Sequence, residues 1–233
     1  MYKLISIVML MLMTSWSYAN DIYVTQSGAS LDLDITQDGQ NNTVGNSTTA
    51  SASTGATTIL DIDQVGNSNV IKYQINGATY TGQINLQGNS NDVDLNCDST
   101  GANSSCGSAN AVISFIGNSN DIDLDIGQTS SATSIDADIV GQSGSDSNVV
   151  AATVDGNSAI LRITINGDTN NYLIDIDGNG DVVGHTLIHT HTGGIADVDI
   201  TQSGVNDQMI TLTTSGDNAD IDITNGLIWI KEQ

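Results

Sequence analysis

The sequence predicts an all-β fold: a β-solenoid of stacked strand-turn-strand repeats, about 11 residues per half-rung and about 22 per rung. Three observations carry this. Glycines recur on an eleven-residue beat, from Gly28 and Gly39, through Gly55, Gly66, Gly77 and Gly88, to Gly156, Gly167 and Gly178. Between glycines the residues alternate with period two, the signature of a strand with one buried face. The composition is aliphatic and thin, with 38% hydrophobic residues, 4% aromatic residues and no proline. So few rings cannot fill a broad core, whereas a narrow stack of Ile, Val and Leu needs none.

Residues 1–19 come first. A basic start at Lys3, an apolar run from Leu4 to Met13, and small residues at Ser17 and Ala19 read as a secretory signal peptide. The run is too short to cross a bilayer of about 30 Å as a helix, so the mature chain is expected to have no membrane span and to be secreted. Residues 20–233 then form the repeat domain. The first expected strand runs from Ile22 to Gln26.

Breaks in the beat mark insertions, near 42–54, 96–106, 128–134, 142–145 and 182–187. Cys106 stands eleven residues before Gly117, in a glycine position, so the Cys97 loop is one of these insertions. In an oxidising compartment Cys97 and Cys106 are expected to close that loop as a disulfide. About sixteen half-rungs make roughly eight rungs, a rod on the order of 40 Å long at the inter-strand spacing.

Each half-rung has a place for every residue type. The turn glycines Gly39, Gly66, Gly77, Gly88, Gly117, Gly167, Gly178 and Gly204 are expected to supply the positive φ that reverses the chain. Leu31, Leu33 and Ile35 share one parity with Gln37; Leu60 and Ile62 share it with Gln64; Val198 and Ile200 share it with Gln202. Three residues after the glycine the same parity holds Asn42, Asn69, Asn91, Asn120 and Asn170. A buried amide without a partner costs a few kcal/mol. Stacked rungs remove that cost, because each amide can bond to its copy on the next rung. Gln37, Gln64 and Gln202 with the five asparagines are therefore the expected repeat ladder.

The repeated pattern Ile35-x-Gln37-x-Gly39-x-x-Asn42, found again at Ile62 to Asn69 and with Asp207 for Asn at Ile200 to Asp207, resembles the curlin repeat of bacterial curli subunits. Leu86, Phe115 and Ile165 stand where Gln would be, and Ala159 and Ala219 where Asn would be. The resemblance implies a secreted subunit of an extracellular amyloid fibre that serves adhesion and biofilm matrix. It also implies self-association, a nucleator subunit and an outer-membrane secretion machinery as partners. A minor, nucleator-type subunit is one alternative within that family.

A solenoid ends in exposed strand edges, which monomeric proteins cover or charge. The expected assembly edges are Ile22 and Val24 at one end and Ile228 and Trp229 at the other. The apolar tail around Trp229 can fold over the last rung or dock onto the next subunit.

The chain carries 27 Asp+Glu against 4 Lys+Arg, a net charge of −23. Nucleic acid is thereby excluded as a partner, because phosphate binding needs clustered Lys and Arg. The aspartates sit on the outward parity, as at Asp32 and Asp34 or Asp197 and Asp199. These columns are expected to bind divalent cations weakly, with no other cofactor or metal. The run from Asp175 to Asp181 resembles half of a calcium loop, but its twelfth position is Thr186 and the beat passes through it, so it reads as a turn. His185, His189 and His191 share one parity, and the choice of Gly193 or Gly194 as the turn decides whether they point inward or outward. Arg162 is the sole arginine and no nucleophile motif or phosphate loop appears, so no catalytic residue is assigned. The alternative from another class is a monomeric ice- or carbohydrate-binding solenoid. It would require a Thr array on every rung, and Thr190/Thr192 and Thr211/Thr213 do not recur so widely.

Overall fold

The computed structural model describes residues 19–45, 50–97, 106–127, 134–177, 185–204 and 208–225. Residues 1–18 of the expected signal peptide therefore lie outside the described residues, as do Gly178, Ile228 and Trp229, while Ala19, its expected last residue, opens the first strand.

The described chain is all β, with parallel strands wound into a β-solenoid of about seven turns. Two stacks of strands face each other across a thin core. One stack, the isoleucine face, is built from β3 (Ser30–Asp38), the second half of β5 (Ser51–Val65), the second half of β6 (Ser68–Gln87), β8 (Ser108–Ile116), β10 (Ser134–Gly141), β12 (Ala159–Asn166), β14 (Thr186–Thr192) and β16 (Met209–Ser215). The other, the asparagine face, contains β1 (Ala19–Ile22), β2 (Thr25–Ser27), β4 (Asn41–Val44), the first halves of β5 and β6, β7 (Ser90–Cys97), β9 (Ser119–Ile126), β11 (Asn148–Asp155), β13 (Thr169–Asp177), β15 (Ile195–Gln202) and β17 (Asn218–Asn225). β5 and β6 turn the corner at Gly55 and Gly77, which pair with each other, and the ladder resumes at Thr57 and Thr79.

Register is the organising fact. On the isoleucine face one column runs Ile35, Ile62, Ile84, Ile113, Ile139 and Ile163, all buried, and continues into His189. Isoleucine suits this place, since its branched side chain packs well on a pleated surface and gives up little rotamer freedom. Side-chain volumes compensate along a column. The position after Phe115 is Gly141, and the Tyr80 ring lies over Gly82, where a Cβ would stand 1.9 Å from the phenol oxygen.

Rung length varies while register does not. The step is 22 residues between Asn69 and Asn91, and 29 between Asn91 and Asn120, because the disulfide loop lies in between. Near 42–54 the extra residues sit between Val44, which pairs with Ile71, and Ser51, which pairs with Tyr73. Cys97 and Cys106 are joined as a disulfide across the loop near 96–106. Near 142–145 a short loop replaces the tight corner before β11. Of the insertions near 128–134 and 182–187, residues 128–133 and 178–184 lie outside the described residues. The boundaries are corrected at their ends: Ser134 already belongs to β10, and Thr186 and Leu187 to β14.

Candidate functional site

Asparagine forms the longer ladder. Asn69 Nδ2 donates to Asn91 Oδ1 at 2.7 Å, Asn91 to Asn120 at 2.5 Å, Asn120 to Asn148 at 2.6 Å and Asn148 to Asn170 at 2.5 Å. Asn42 stands in register with Asn20 on one side and Asn69 on the other, and donates to the Val65 carbonyl at 2.9 Å. Asn42 and the five asparagines of the ladder are all buried. The second amide hydrogen often returns to the corner, as from Asn120 to the Gly117 carbonyl at 2.9 Å and from Asn170 to the Gly167 carbonyl at 2.9 Å. Asn148 falls outside the sequence pattern because Ser145, not glycine, precedes it by three. Its signal lies in its parity with Val150 and Ala152. The column ends in Ala196 and Ala219, in register with Asn170.

Glutamine does not form a comparable ladder. Gln64 Nε2 donates to Gln37 Oε1 at 2.6 Å, and the column then becomes Leu86 and Phe115. Gln202 belongs to neither: it pairs with Ile176 on the asparagine face and donates to the His185 carbonyl at 3.4 Å. The eleven-residue beat alternates between two corners, and parity alone does not say which one. For the same reason Ala159 is not a lost asparagine. It stands on the isoleucine face, in register with Ile135.

The turn glycines also need a correction. Gly39 and Gly204 have positive φ, at 156° and 144°, but Gly66, Gly77, Gly88, Gly117 and Gly167 do not. Their requirement is closeness. A Cβ on Gly66 would stand 2.3 Å from the Gly39 carbonyl oxygen, on Gly77 2.3 Å from that of Gly55, on Gly88 2.5 Å from that of Gly66, and on Gly117 1.7 Å from that of Gly88. Gly167 meets the Ser145 carbonyl at 1.6 Å in the same way. The corner stacks backbone on backbone, and only hydrogen fits there.

The three histidines point inward. Gly193 is the corner, with φ 145°, so His185, His189 and His191 are all buried. His189 packs edge-on against Tyr172 with ring centroids 4.3 Å apart. His191 Nδ1 lies 3.1 Å from the Tyr172 hydroxyl and 3.3 Å from Asn170 Nδ2. Burial, with a smaller contribution from His191, lowers the His189 pKa from 6.5 to about 4, and burial also lowers that of His191. Burial thus biases His189 and His191 toward the neutral form. Among the described residues no group of three or more His, Cys, Asp or Glu is arranged to hold a metal ion.

Outward columns carry the aspartates. Asp92, Asp94, Asp121, Asp123 and Asp125 crowd two adjacent strands, β7 and β9, with Lys72 at 3.9 Å from Asp94 on one flank. Partial burial, then Asp125, Asp94 and Asp121, push the Asp123 carboxyl up to about 6. Asp92 is raised as well, by burial first. Asp175 and Asp177, the start of the calcium-like run, are outward strand positions of β13, and Asp181 lies outside the described residues.

The first and last described rungs pair on one side only. Among the described residues β1 pairs only with β4 and β3 only with β5, while β16 pairs only with β14 and β17 only with β15. One core column runs Ile22, Val44, Ile71, Val93, Ile122, Val150, Tyr172, Val198 and Ile221. Its middle members are fully buried, whereas Ile221 is 37% exposed and its neighbour Ile223 48%. Ile22 and Val24 at the opposite end are partly buried against the core. No protein-family model, curated protein or solved structure matches this chain.

Proposed function

We propose that the chain is a secreted structural subunit that stacks end to end into an extracellular, curli-like fibre used in surface adhesion and biofilm matrix. The supporting observation is the last described rung. The columns ending at Ile221 and Ile223 present apolar side chains, and among the described residues β16 and β17 pair on one side only, in the geometry that one more rung would cover. A second copy supplies such a rung at β1 and β3, and each interface then repeats the pairing already used inside the subunit. Parallel in-register stacking with buried asparagine columns is the chemistry of cross-β assembly. The resemblance to the curlin repeat points the same way.

The test is to incubate residues 20–233 and follow filament formation by electron microscopy and amyloid-dye binding. Filaments are expected, with strands perpendicular to the long axis. Ile223→Asp places a charge at the edge of the last described rung, over buried Ile200, and is expected to slow elongation while the strand spectrum in circular dichroism persists. A chain that stays monomeric at high concentration overturns the reading.

A further inference from the structure

We propose that the isoleucine face of the solenoid is a self-association surface, on which a second copy of the chain packs face to face. The contact is lateral, at right angles to end-to-end stacking, and does not rest on the fibre reading.

Charge separates the two outer faces. From β7 to β17 the asparagine face carries two outward aspartates on β7, three on β9, one on β11 and two each on β13, β15 and β17, twelve in all. The opposite face, from the second half of β6 through β8, β10, β12, β14 and β16, carries two, Asp136 and Asp138. Arg162 holds both, with Nη1 on a carboxylate oxygen of each and 3.0 Å from that of Asp138. Six strands therefore present a net single negative charge on one side and twelve on the other. In a chain of net charge −23, contact through the asparagine face would oppose rows of carboxylates, while the isoleucine face lets two copies approach without doing so.

The surface also suits contact in shape and chemistry. Outward positions such as Thr81, Thr164, Thr190 and Thr213, with Val112 and Ile188 between them, are short or β-branched. Such side chains lose little rotamer freedom when covered. Thr164, Thr190 and Thr213 stand in one column. Six strands at about 4.8 Å by about eight residues at 3.3 Å make a patch of roughly 750 Å², close to the roughly 800 Å² per partner of a stable interface. The same patch meeting itself about a two-fold axis is an isologous contact. The axis sets the copies antiparallel, because β3 and β5 carry Asp32, Asp34, Asp38, Asp61 and Asp63 at one end of this face. Antiparallel packing lets each acidic end overhang the partner's β16.

Residues 20–233 in EDTA are examined by sedimentation and, where filaments form, by filament width. Expected are dimers at micromolar concentration, or filaments two solenoids wide. The outward double variant Gln83→Asp/Thr190→Asp is expected to sediment as monomer, or to give filaments one solenoid wide, with unchanged circular dichroism. Thr153→Asp, an outward change on β11, is expected to leave pairing intact. Wild-type chain that is monomeric, or one solenoid wide, overturns the proposal, as does a double variant that still pairs. Pairing that requires calcium would shift the contact to the acidic face and overturn it too. Pairing that appears only after removal of residues 226–233 would assign the face to that tail and would likewise overturn the proposal. Unpaired filaments reject this contact alone, whereas paired chains without filaments reject the fibre reading alone.

Discussion

Phe115 fills the space that a side chain at Gly141 would occupy: a Cβ there would lie 3.0 Å from both Cε2 and Cζ of the ring. The two residues are register partners on β8 and β10, and together they balance volume in a column that holds Leu86 on the rung before them and Ile165 on the rung after. Phe115→Ala is expected to cost about 3–5 kcal/mol through the cavity it opens, and Gly141→Ala about 1–3 kcal/mol through overpacking. Because the two share one space, the double variant is expected to cost less than the sum. Urea unfolding of the three variants checks this.

Corner glycines differ in what a methyl group would meet, and their tolerance is expected to differ accordingly. A Cβ at Gly117 would collide with the Gly88 carbonyl at 1.7 Å, whereas at Gly28 the nearest atom is the Gln26 amide nitrogen at 3.0 Å, the end of a flexible side chain. Gly117→Ala is expected to lose at least the roughly 1–3 kcal/mol of an overpacked site, and Gly28→Ala less. Hydrogen exchange of β8 and β9 amides in the two variants reads the local loss.

Asn120 bonds to amides on both adjacent rungs, and Asn170 at the ladder's end bonds to Asn148, to its own corner and to His191. Asn120→Ala removes an acceptor from buried Asn91 and a donor from buried Asn148. Each orphaned buried group costs about 1–3 kcal/mol, so this variant is expected to be among the most damaging of the ladder. Asn42→Ala, on the first full rung, is expected to cost less. Denaturant midpoints rank them.

Acid is expected to act in two opposite ways within one pH window. Asp123 titrates near 6 in the fold against 3.8 ordinarily. Between those values the folded chain keeps a proton that the unfolded chain has released, so this carboxyl favours the fold in acid and that gain is lost as pH rises through 6. His189 titrates near 4 against 6.5. Between those values the unfolded chain binds a proton that the folded chain refuses, so stability falls as pH drops below 6.5. Replacing His189 with Ile, the residue of its column, is expected to raise stability at pH 5 relative to pH 7. Asp123→Asn is expected to do the reverse. Thermal melts of both variants from pH 4 to 7 separate the two contributions.

The fold was legible because its signals are local. Alternation along Leu31 to Gln37 states which side chains face inward, and the beat from Gly55 to Gly88 states where corners fall. Neither needs knowledge of distant residues. The five asparagines of the expected ladder all stand in one column for the same reason.

Contacts between rungs were a different matter. Parity separates inside from outside but not one face from the other, so Gln202 could not be told from Gln37 until pairing placed it beside Ile176. Asn148 was hidden by a loop that altered the local spacing, and the histidines by two adjacent glycines that offered opposite parities. Gly66, Gly77, Gly88, Gly117 and Gly167 are needed for a carbonyl one rung away, not for their own dihedral angles. From its residues alone the chain determined that it winds, where it bends and which residues are dry. Only the tertiary structure decided which residues touch, because a stacked contact joins positions 22 to 29 residues apart, and hydrogen-bonded register, which absorbs each insertion into a loop, sets that partner where counting along the chain does not.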